Sequence, residues 1–115
     1  MIIIYTELLP DEVRKDIPSL RATEHDPDPL AVVKFFAPWS AWTWYVFEFD
    51  GKDTFFGFVE GYYPELGSFT LSELADIRGP GGLSVERDEG FHPTRFSGIK
   101  KALKEYASNA ESYDL

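Results

Sequence analysis

The sequence predicts one α+β domain, in which a helix near the C-terminus packs on one face of a four- or five-stranded antiparallel sheet. The chain of 115 residues is 43% hydrophobic and 27% charged, which suits a single globular core. Two aromatic runs flank the turn composition Asp50-Gly51-Lys52-Asp53, and apolar residues recur at helical spacing after residue 95. These features predict the sheet and the helix, and residues 1–115 are expected to form one domain.

The centre of the sheet is predicted to be a β-hairpin of residues 41–49 and 54–61. Gly51 can adopt a positive φ in the turn at little cost, and both runs are rich in aromatic residues. Because side chains alternate along a strand, one face of the first strand should carry Trp42, Trp44 and Val46, and the other Thr43, Tyr45, Phe47 and Phe49. Both faces are largely apolar, so either helices cover both or one is a contact surface, for example in a dimer.

Shorter strands are predicted on either side of the hairpin. Residues 30–36 should be an antiparallel neighbour of the first hairpin strand, and residues 68–71 should form a short strand. Residues 83–87 should be a last short strand or an extended segment. Residues 63–67 are predicted to be a turn because they contain proline and glycine. The segment RGPGG at 78–82 cannot continue a helix or a regular strand, so it should be a loop.

Three helical segments are predicted. Residues 8–16 should form a short helix with a proline in its first turn, and Ser72 should cap a helix of residues 73–77. The longest helix should span residues 96–107, with residues 108–115 frayed. Its apolar stripe consists of Phe96, Ile99, Leu103 and Tyr106, which are expected to be buried against aromatic residues of the sheet.

Charge and composition exclude several classes of protein. Asp and Glu number 20 against 11 Lys and Arg, giving a net charge of −9. Such a chain is poorly suited to nucleic-acid phosphates and to anionic membranes. The absence of cysteine excludes disulfides, thiolate metal sites and a cysteine nucleophile. Because the sequence shows neither a signal peptide nor a membrane span, we expect a cytoplasmic protein, and we expect no cofactor.

Two acidic regions are candidates for metal or acid–base chemistry. His25 lies among three carboxylates in a proline-rich loop, which could bind a hard cation or be a solvated surface loop. In the second region, Glu86, Asp88 and His92 could form the site of a small metal-dependent hydrolase. The alternative is an exposed strand end with local ion pairs and a loop histidine. No recognised catalytic motif is present, so no catalytic or metal-binding residue is assigned.

Two loops carry residues of special interest. The rings in the segment WSAW at 39–42 could form a stacking platform or belong to the core. We expect residues 38–42 and 78–82 to lie together at one end of the sheet. Arg78 should there be partly buried against a carboxylate of the following strand or against the ring of Trp39, locking the turn. Alternatively, both side chains are exposed and bind a partner.

Several motifs, taken in order, resemble the domain of unknown function 2958 family. They are VKFF-x-PWS-x-WTWY at 33–45, EFD at 48–50, FFG at 55–57, ELG at 65–67, LSEL at 71–74 and RGP-x-GL-x-x-ERD at 78–88. The resemblance covers about residues 6–93, and the helix at 96–107 extends beyond it. The family is associated with bacteria, plasmids and phages and has no established activity, so the resemblance implies a host or element-encoded partner but no catalytic residue.

The sequence therefore favours a non-enzymatic, acidic protein-interaction module of mobile-element type. The last helix region contributes four positive charges, so the rest of the chain is more acidic than the total. A surface of that kind can occupy a DNA-binding groove, as in an anti-defence protein that mimics DNA. The candidate binding residues, most of them around the hairpin, are Trp39, Trp42, Glu48, Asp50, Asp53, Glu60, Glu65 and Arg78.

Overall fold

The computed structural model describes residues 7–113, with side chains described through residue 106. Strands β1–β7 are Leu30–Ala31, Val33–Phe36, Thr43–Phe49, Thr54–Glu60, Pro64–Thr70, Glu86–Arg87 and Thr94–Arg95. Helices α1–α3 are Asp11–Arg14, Leu71–Asp76 and Phe96–Tyr113, and Pro80–Gly82 forms a turn of 3₁₀-helix. Within this part of the chain, no helix is long and apolar enough to cross a membrane.

The main sheet has five strands in the order β5-β4-β3-β2-β6. Every neighbouring pair is antiparallel, and β1 and β7 form a separate two-stranded ladder. These features confirm the α+β class, the hairpin of β3 and β4, and the antiparallel pairing of β2 with β3. Val32 separates β1 from β2, so the strand predicted at 30–36 is divided in two.

A β-bulge in β3 changes the predicted distribution of aromatic rings. The pairing of β3 with β4 shifts register between Val46 and Glu48. Because a bulge inserts one extra residue, the alternation of side chains is reversed beyond it. Phe49 therefore packs in the same core as Trp44 and Val46, and its predicted place beside Phe47 is wrong. The bulge also places Phe47 and Glu48 side by side at the border of one pocket.

Both faces of the sheet are covered within the chain. On one face, strand residues such as Phe35 and Phe55 pack with Leu9 and with Leu71 and Leu74 of α2. On the other face, the core consists of Ala31, Tyr45, Phe47, Phe58 and Ile99, with Phe96 and Leu103 of α3 against it. Helical segments thus cover both faces, which is the first of the two alternatives expected from the sequence. This leaves less of either aromatic face for the dimer contact considered from the sequence.

Four predicted boundaries differ from the structure. Residues 63–67 are not a turn, since β5 already begins at Pro64. Helix α2 begins at Leu71 and is capped by Thr70 instead of Ser72, because Thr70 and Glu73 form a reciprocal capping box. Helix α1 has four residues, fewer than the range 8–16. Of residues 83–87, only Glu86–Arg87 is a strand.

Helix α3 begins at Phe96 as predicted but extends further, to Tyr113, so residues 108–113 are helical instead of frayed. The expectations for residues 114–115 lie outside the described residues. Ile99 is buried and Leu103 is partly buried against the sheet. Tyr106, by contrast, is 75% exposed, so its predicted burial is wrong. Helical spacing identifies the apolar stripe but not where the sheet beneath it ends.

Candidate functional site

The loops that join β2 to β3 and β4 to β5 emerge at the same end of the sheet and carry a group of aromatic side chains. We call this group, Trp39, Trp42, Tyr62 and Tyr63, the aromatic end. The rings of Trp42 and Tyr62 meet edge to face, with their centroids 5.4 Å apart. A β-carbon on Gly61 would lie 2.4 Å from the Trp42 ring, so the glycine permits this ring to lie across the backbone.

The loop at 78–82 lies against the aromatic end. A β-carbon on Gly79 would lie 2.2 Å from the ring of Trp39, so Trp39 packs directly on the Gly79 backbone. A cavity of about 250 Å³ between the two loops is lined by all three tryptophans of the chain, together with Ile77 and Arg78. The prediction that loops 38–42 and 78–82 lie together at one end of the sheet is confirmed.

Arg78 has a different partner from those predicted. Its Nη1 donates hydrogen bonds to the carbonyl oxygens of Ala75, at 2.6 Å, and Ile77, at 2.8 Å. It is an exposed residue and makes no ion pair among the described residues. The guanidinium therefore satisfies carbonyl groups that the end of α2 leaves without helical partners. Its local role is to hold α2 against the loop that follows.

Large side chains at the aromatic end are unusually exposed. Tyr62 is 88% exposed, Tyr63 is 79% exposed, and Leu66 in the adjoining strand is 51% exposed. Trp39 and Trp42 are half-buried, whereas Trp44 belongs to the core. Clustered exposed apolar and aromatic groups are typical of interaction surfaces. The two tyrosines are not among the residues predicted from the sequence, although their place beside Pro64, just beyond a strand, is a sign of an exposed connection.

Two of the predicted binding carboxylates, Asp50 and Asp53, lie at the opposite end of the hairpin and organise its turn. Asp50 Oδ1 accepts hydrogen bonds from three backbone N–H groups, those of Lys52, Asp53 and Thr54. These bonds hold the pKa of Asp50 below its ordinary value. Asp53 accepts hydrogen bonds from the backbone N–H of Ser72 at 2.8 Å and its hydroxyl at 2.6 Å. It therefore joins the hairpin turn to the first turn of α2.

Glu48 is buried, with 4% exposure, and cannot contact a partner while the loop beside it is closed. Its carboxylate accepts hydrogen bonds from the backbone N–H groups of Arg21 and Thr23, at 2.8 and 3.0 Å, and from the Thr23 hydroxyl. Arg21 has a φ of 72°, an uncommon conformation for a residue with a β-carbon. Burial acts to raise the pKa of Glu48, but these hydrogen bonds outweigh it and lower the pKa. Glu48 thus anchors the loop.

Glu60 belongs to a polar cluster on the face that α3 covers. Burial raises the pKa of Glu60, while a hydrogen bond from Tyr45 and the charge of Lys34 act in the opposite direction. The pKa of Tyr45 is also raised, by burial and by Glu60. Lys34 completes the cluster, with its Nζ 3.7 Å from Asp88 Oδ2 and 5.8 Å from the centre of the Tyr45 ring. Glu60 is therefore a half-buried member of this cluster.

Glu65 is the predicted carboxylate that is exposed beside the aromatic end. Together with Glu73 of α2 it borders a groove of about 460 Å³. Trp42 and Trp44 line the same groove. The site that the structure brings together therefore contains Trp39, Trp42, Glu65 and Arg78 of the predicted set, with exposed tyrosines added and the other four carboxylates engaged elsewhere.

The residues of the predicted hydrolase site do not converge. Glu86 is exposed on the edge strand β6, and Asp88 pairs with Lys34 and accepts a hydrogen bond from the Gly90 backbone. A cavity of about 490 Å³ borders Glu86 and Asp88, but His92 does not line it. Within residues 7–106, no group of three or more His, Asp and Glu side chains is arranged to hold a metal ion.

The carboxylates around His25 also have structural partners. Asp28 accepts hydrogen bonds from the backbone N–H and the hydroxyl of Ser97, at 2.8 and 2.7 Å. The hydroxyl bond and the backbone bond are the main reasons why the pKa of Asp28 is lowered. Asp26 lies 3.7 Å from Arg95. This loop therefore caps the start of α3, and His25 itself is exposed.

Comparison with known proteins identifies the family but supplies no function. No curated protein and no solved structure gave a significant match. The family model described as "Protein of unknown function (DUF2958)" matches residues 8–114. This match includes the helix α3, so the helix is part of the family domain and not an extension beyond residue 93. The chain therefore belongs to the DUF2958 family.

Proposed function

We propose that this chain is a protein-interaction module that binds its partner through the aromatic end and the adjoining acidic groove. The observation that carries the proposal is the exposure of Tyr62, Tyr63 and Leu66 in one short stretch of chain. Tyr and Trp side chains supply much of the affinity of protein interfaces. We place this interaction in the cytoplasm, as expected from the sequence, with a host or element-encoded protein as the partner.

Charge supports a basic partner. The chain has a net charge of −9, and two exposed acidic residues border the groove: Glu65, and Glu73, whose Oε1 also accepts the Thr70 N–H in the capping box. Complementary charge accelerates association and disfavours acidic competitors. The nearby Arg78 is held by backbone carbonyl groups, so its charge is directed toward the end of α2.

The narrower proposal, an anti-defence protein that imitates DNA, is supported by net charge and by the setting that the family resemblance implies. It is not supported by the hairpin carboxylates as a set. Glu48, Asp50 and Asp53 accept hydrogen bonds from the protein itself. A DNA-like row of charges would have to use other acidic residues, so the broader proposal is the better founded one.

The test compares two variants with matched chemistry. Tagged wild-type protein, a Tyr62→Ala/Tyr63→Ala variant and a Tyr106→Ala variant are used to capture partners from a lysate of the organism that encodes the chain. Tyr106 is an exposed tyrosine on α3 and serves as the control. A captured protein is then purified, and its affinity for each variant is measured by calorimetry.

We expect the double variant to bind the purified partner at least about tenfold more weakly, as for loss of an interface hot spot. The Tyr106→Ala variant should bind like the wild type. Equal binding by all three proteins, or no specific partner even at low salt, would contradict the proposal. Circular dichroism and urea unfolding establish that both variants remain folded.

A further inference from the structure

We propose that the free edge of β5 binds an extended, basic segment of the partner as an additional strand. One lysine or arginine of that segment would enter the groove beside Gly67. The inference rests on the proposed function for the existence of a partner, and it names the chemistry of the segment that is recognised. Addition of a strand to a sheet edge is a common mode of peptide recognition.

The backbone of β5 has hydrogen-bonding groups that point away from the sheet. Leu71 N–H donates to the Asp53 carbonyl at 2.8 Å, one position beyond the pair Thr54 and Thr70. Because hydrogen-bonded and non-hydrogen-bonded pairs alternate in an antiparallel ladder, residues 65, 67 and 69 bond to β4. The N–H and C=O groups of Leu66 and Ser68 therefore face outward, and no described strand pairs with this edge.

At both ends of β5 the outward edge offers no free backbone N–H group, whereas the middle of the strand does. Pro64 at the start has no N–H group to donate. At the other end, the Thr70 N–H donates to Glu73 Oε1 at 2.7 Å within the capping box. Leu66 and Ser68 between them are exposed. Proteins usually block exposed strand edges, so an edge open only at its centre suits a short partner strand.

The groove beside this edge suits a long basic side chain. Its walls include the apolar side chains of Trp44, Leu74 and Ile77, and Glu65 and Glu73 lie on its border. A β-carbon on Gly67 would meet no atom within 4 Å, so the space beside this residue is open. A lysine or arginine can place its aliphatic stem on apolar walls and its charge beside carboxylates.

Charge argues against a second copy of the chain as the occupant of this edge. Antiparallel pairing of two β5 strands would bring Glu65 and Glu73 from both copies to one interface. Each copy also carries a net charge of −9, and like charges placed together across an interface are destabilising. On the opposite side of the bound strand, the exposed Leu66 favours apolar residues. The expected ligand therefore alternates basic and apolar residues.

The test uses two fluorescein-labelled peptides, one alternating lysine with valine and one alternating glutamate with valine. Binding to the full chain is measured by fluorescence anisotropy at low and at physiological salt. We expect binding of the lysine peptide, weakened by salt, and none of the glutamate peptide. Oligomeric state is measured in parallel by analytical ultracentrifugation.

Variants separate strand pairing from simple charge attraction. Ser68→Pro removes an outward N–H, whereas the control Ser68→Ala keeps it. Gly67→Val fills the groove at a position where a β-carbon meets no neighbour within 4 Å. We expect Ser68→Pro and Gly67→Val to weaken lysine-peptide binding at least about tenfold, and Ser68→Ala to bind within about twofold of wild type. If Ser68→Pro does not fold, the affinity of Gly67→Val for the lysine peptide is compared with that of the wild type instead.

Unchanged binding by folded Ser68→Pro and Gly67→Val variants would overturn the inference, as would absence of lysine-peptide binding to the wild type. The inference would also be overturned if the wild type were a dimer that Ser68→Pro dissociates, because the edge of β5 would then bind a second copy of the chain and not a basic peptide. Partner loss in the Tyr62→Ala/Tyr63→Ala variant without lysine-peptide binding would refute the edge site alone. Peptide binding at the edge without any tyrosine-dependent partner would refute the proposed function alone.

Discussion

Replacement of the buried Glu48 by glutamine should destabilise the protein in a pH-dependent way. The carboxylate accepts three hydrogen bonds from the loop residues Arg21 and Thr23. Glutamine retains one acceptor oxygen, loses the charge and directs an NH₂ group toward donors. Because Glu48 lies 4% exposed behind this loop, water cannot replace the lost bonds fully while the loop remains closed.

The expected loss of stability follows from the number and type of these bonds. A hydrogen bond to a charged group contributes about 1.5–3 kcal/mol when measured singly. The three bonds share one carboxylate and are not additive, and the loop can take up water if it opens. We therefore expect Glu48→Gln to lower the free energy of unfolding by about 2–3 kcal/mol near neutral pH. For a chain of this length, this lowers Tm by roughly 8–12 °C.

The pH dependence provides the decisive part of the measurement. The pKa of Glu48 is lower in the folded than in the unfolded protein, so its stabilising effect is present above the unfolded pKa. The effect is lost as the pH falls from about 4.3, the ordinary glutamate pKa, through the folded-state pKa. The stability difference between wild type and Glu48→Gln, from urea unfolding at a series of pH values, should therefore shrink toward acid.

Glu24→Gln is the matched control, because Glu24 lies on the same loop but is exposed, 3.4 Å from the side chain of Arg21. An exposed ion pair of this kind contributes little, so the control should unfold within about 1 kcal/mol of wild type. Equal stability of Glu48→Gln and wild type at neutral pH would refute the reasoning. A difference that stays constant from neutral to acid pH would show that the carboxylate charge is not responsible.

Three further predictions concern the fold, and each is measured by urea unfolding. Gly57→Ala should strongly destabilise the protein, because the new β-carbon would lie 1.8 Å from a carbonyl oxygen of β3. The control Gly67→Ala should be tolerated, because its β-carbon would meet no atom within 4 Å. Equal effects of the two substitutions would contradict the close approach of β3 to Gly57. Asp53→Ala should cost about 1–2 kcal/mol through loss of its hydrogen bonds to the backbone N–H and hydroxyl of Ser72 in the first turn of α2, and an unchanged midpoint would refute that role. Ile99→Ala should cost about 2–3 kcal/mol, while Tyr106→Ala should be nearly neutral; the reverse order would show that α3 packs by another face.

Much of the architecture could be predicted from local sequence. The turn around Gly51 and its two aromatic flanks predicted the β3–β4 hairpin, and helical spacing from Phe96 to Leu103 predicted the packed part of α3. The boundaries were less predictable because each depended on a competing partner. Thr70, for example, displaced Ser72 as the helix cap because its side chain and that of Glu73 bond reciprocally across the first turn.

The candidate site was predictable only in part. The sequence identified Trp39, Trp42 and Arg78 as residues of interest and predicted that their loops meet. It did not reveal that Arg78 bonds to carbonyl groups of α2, since that contact depends on where the helix ends. It also overlooked Tyr62 and Tyr63, because their place beside Pro64 indicates an exposed connection but not that the two rings join Trp42 in one cluster, which depends on the pairing of β3 with β4.

The sequence by itself determined the fold class, the acidic character of the chain and its family, because composition, periodicity and motifs are local properties. Tertiary structure decided which carboxylates are free. Glu48 and Asp53 have the same charge as Glu65, but a bulge turns Glu48 toward the loop at 21–23, and the hairpin turn brings Asp53 to α2. Whether an acidic side chain is a structural acceptor or an available surface charge depends on donors that lie far away along the chain, 27 positions for Glu48 and 69 for Asp28, and only folding brings them together.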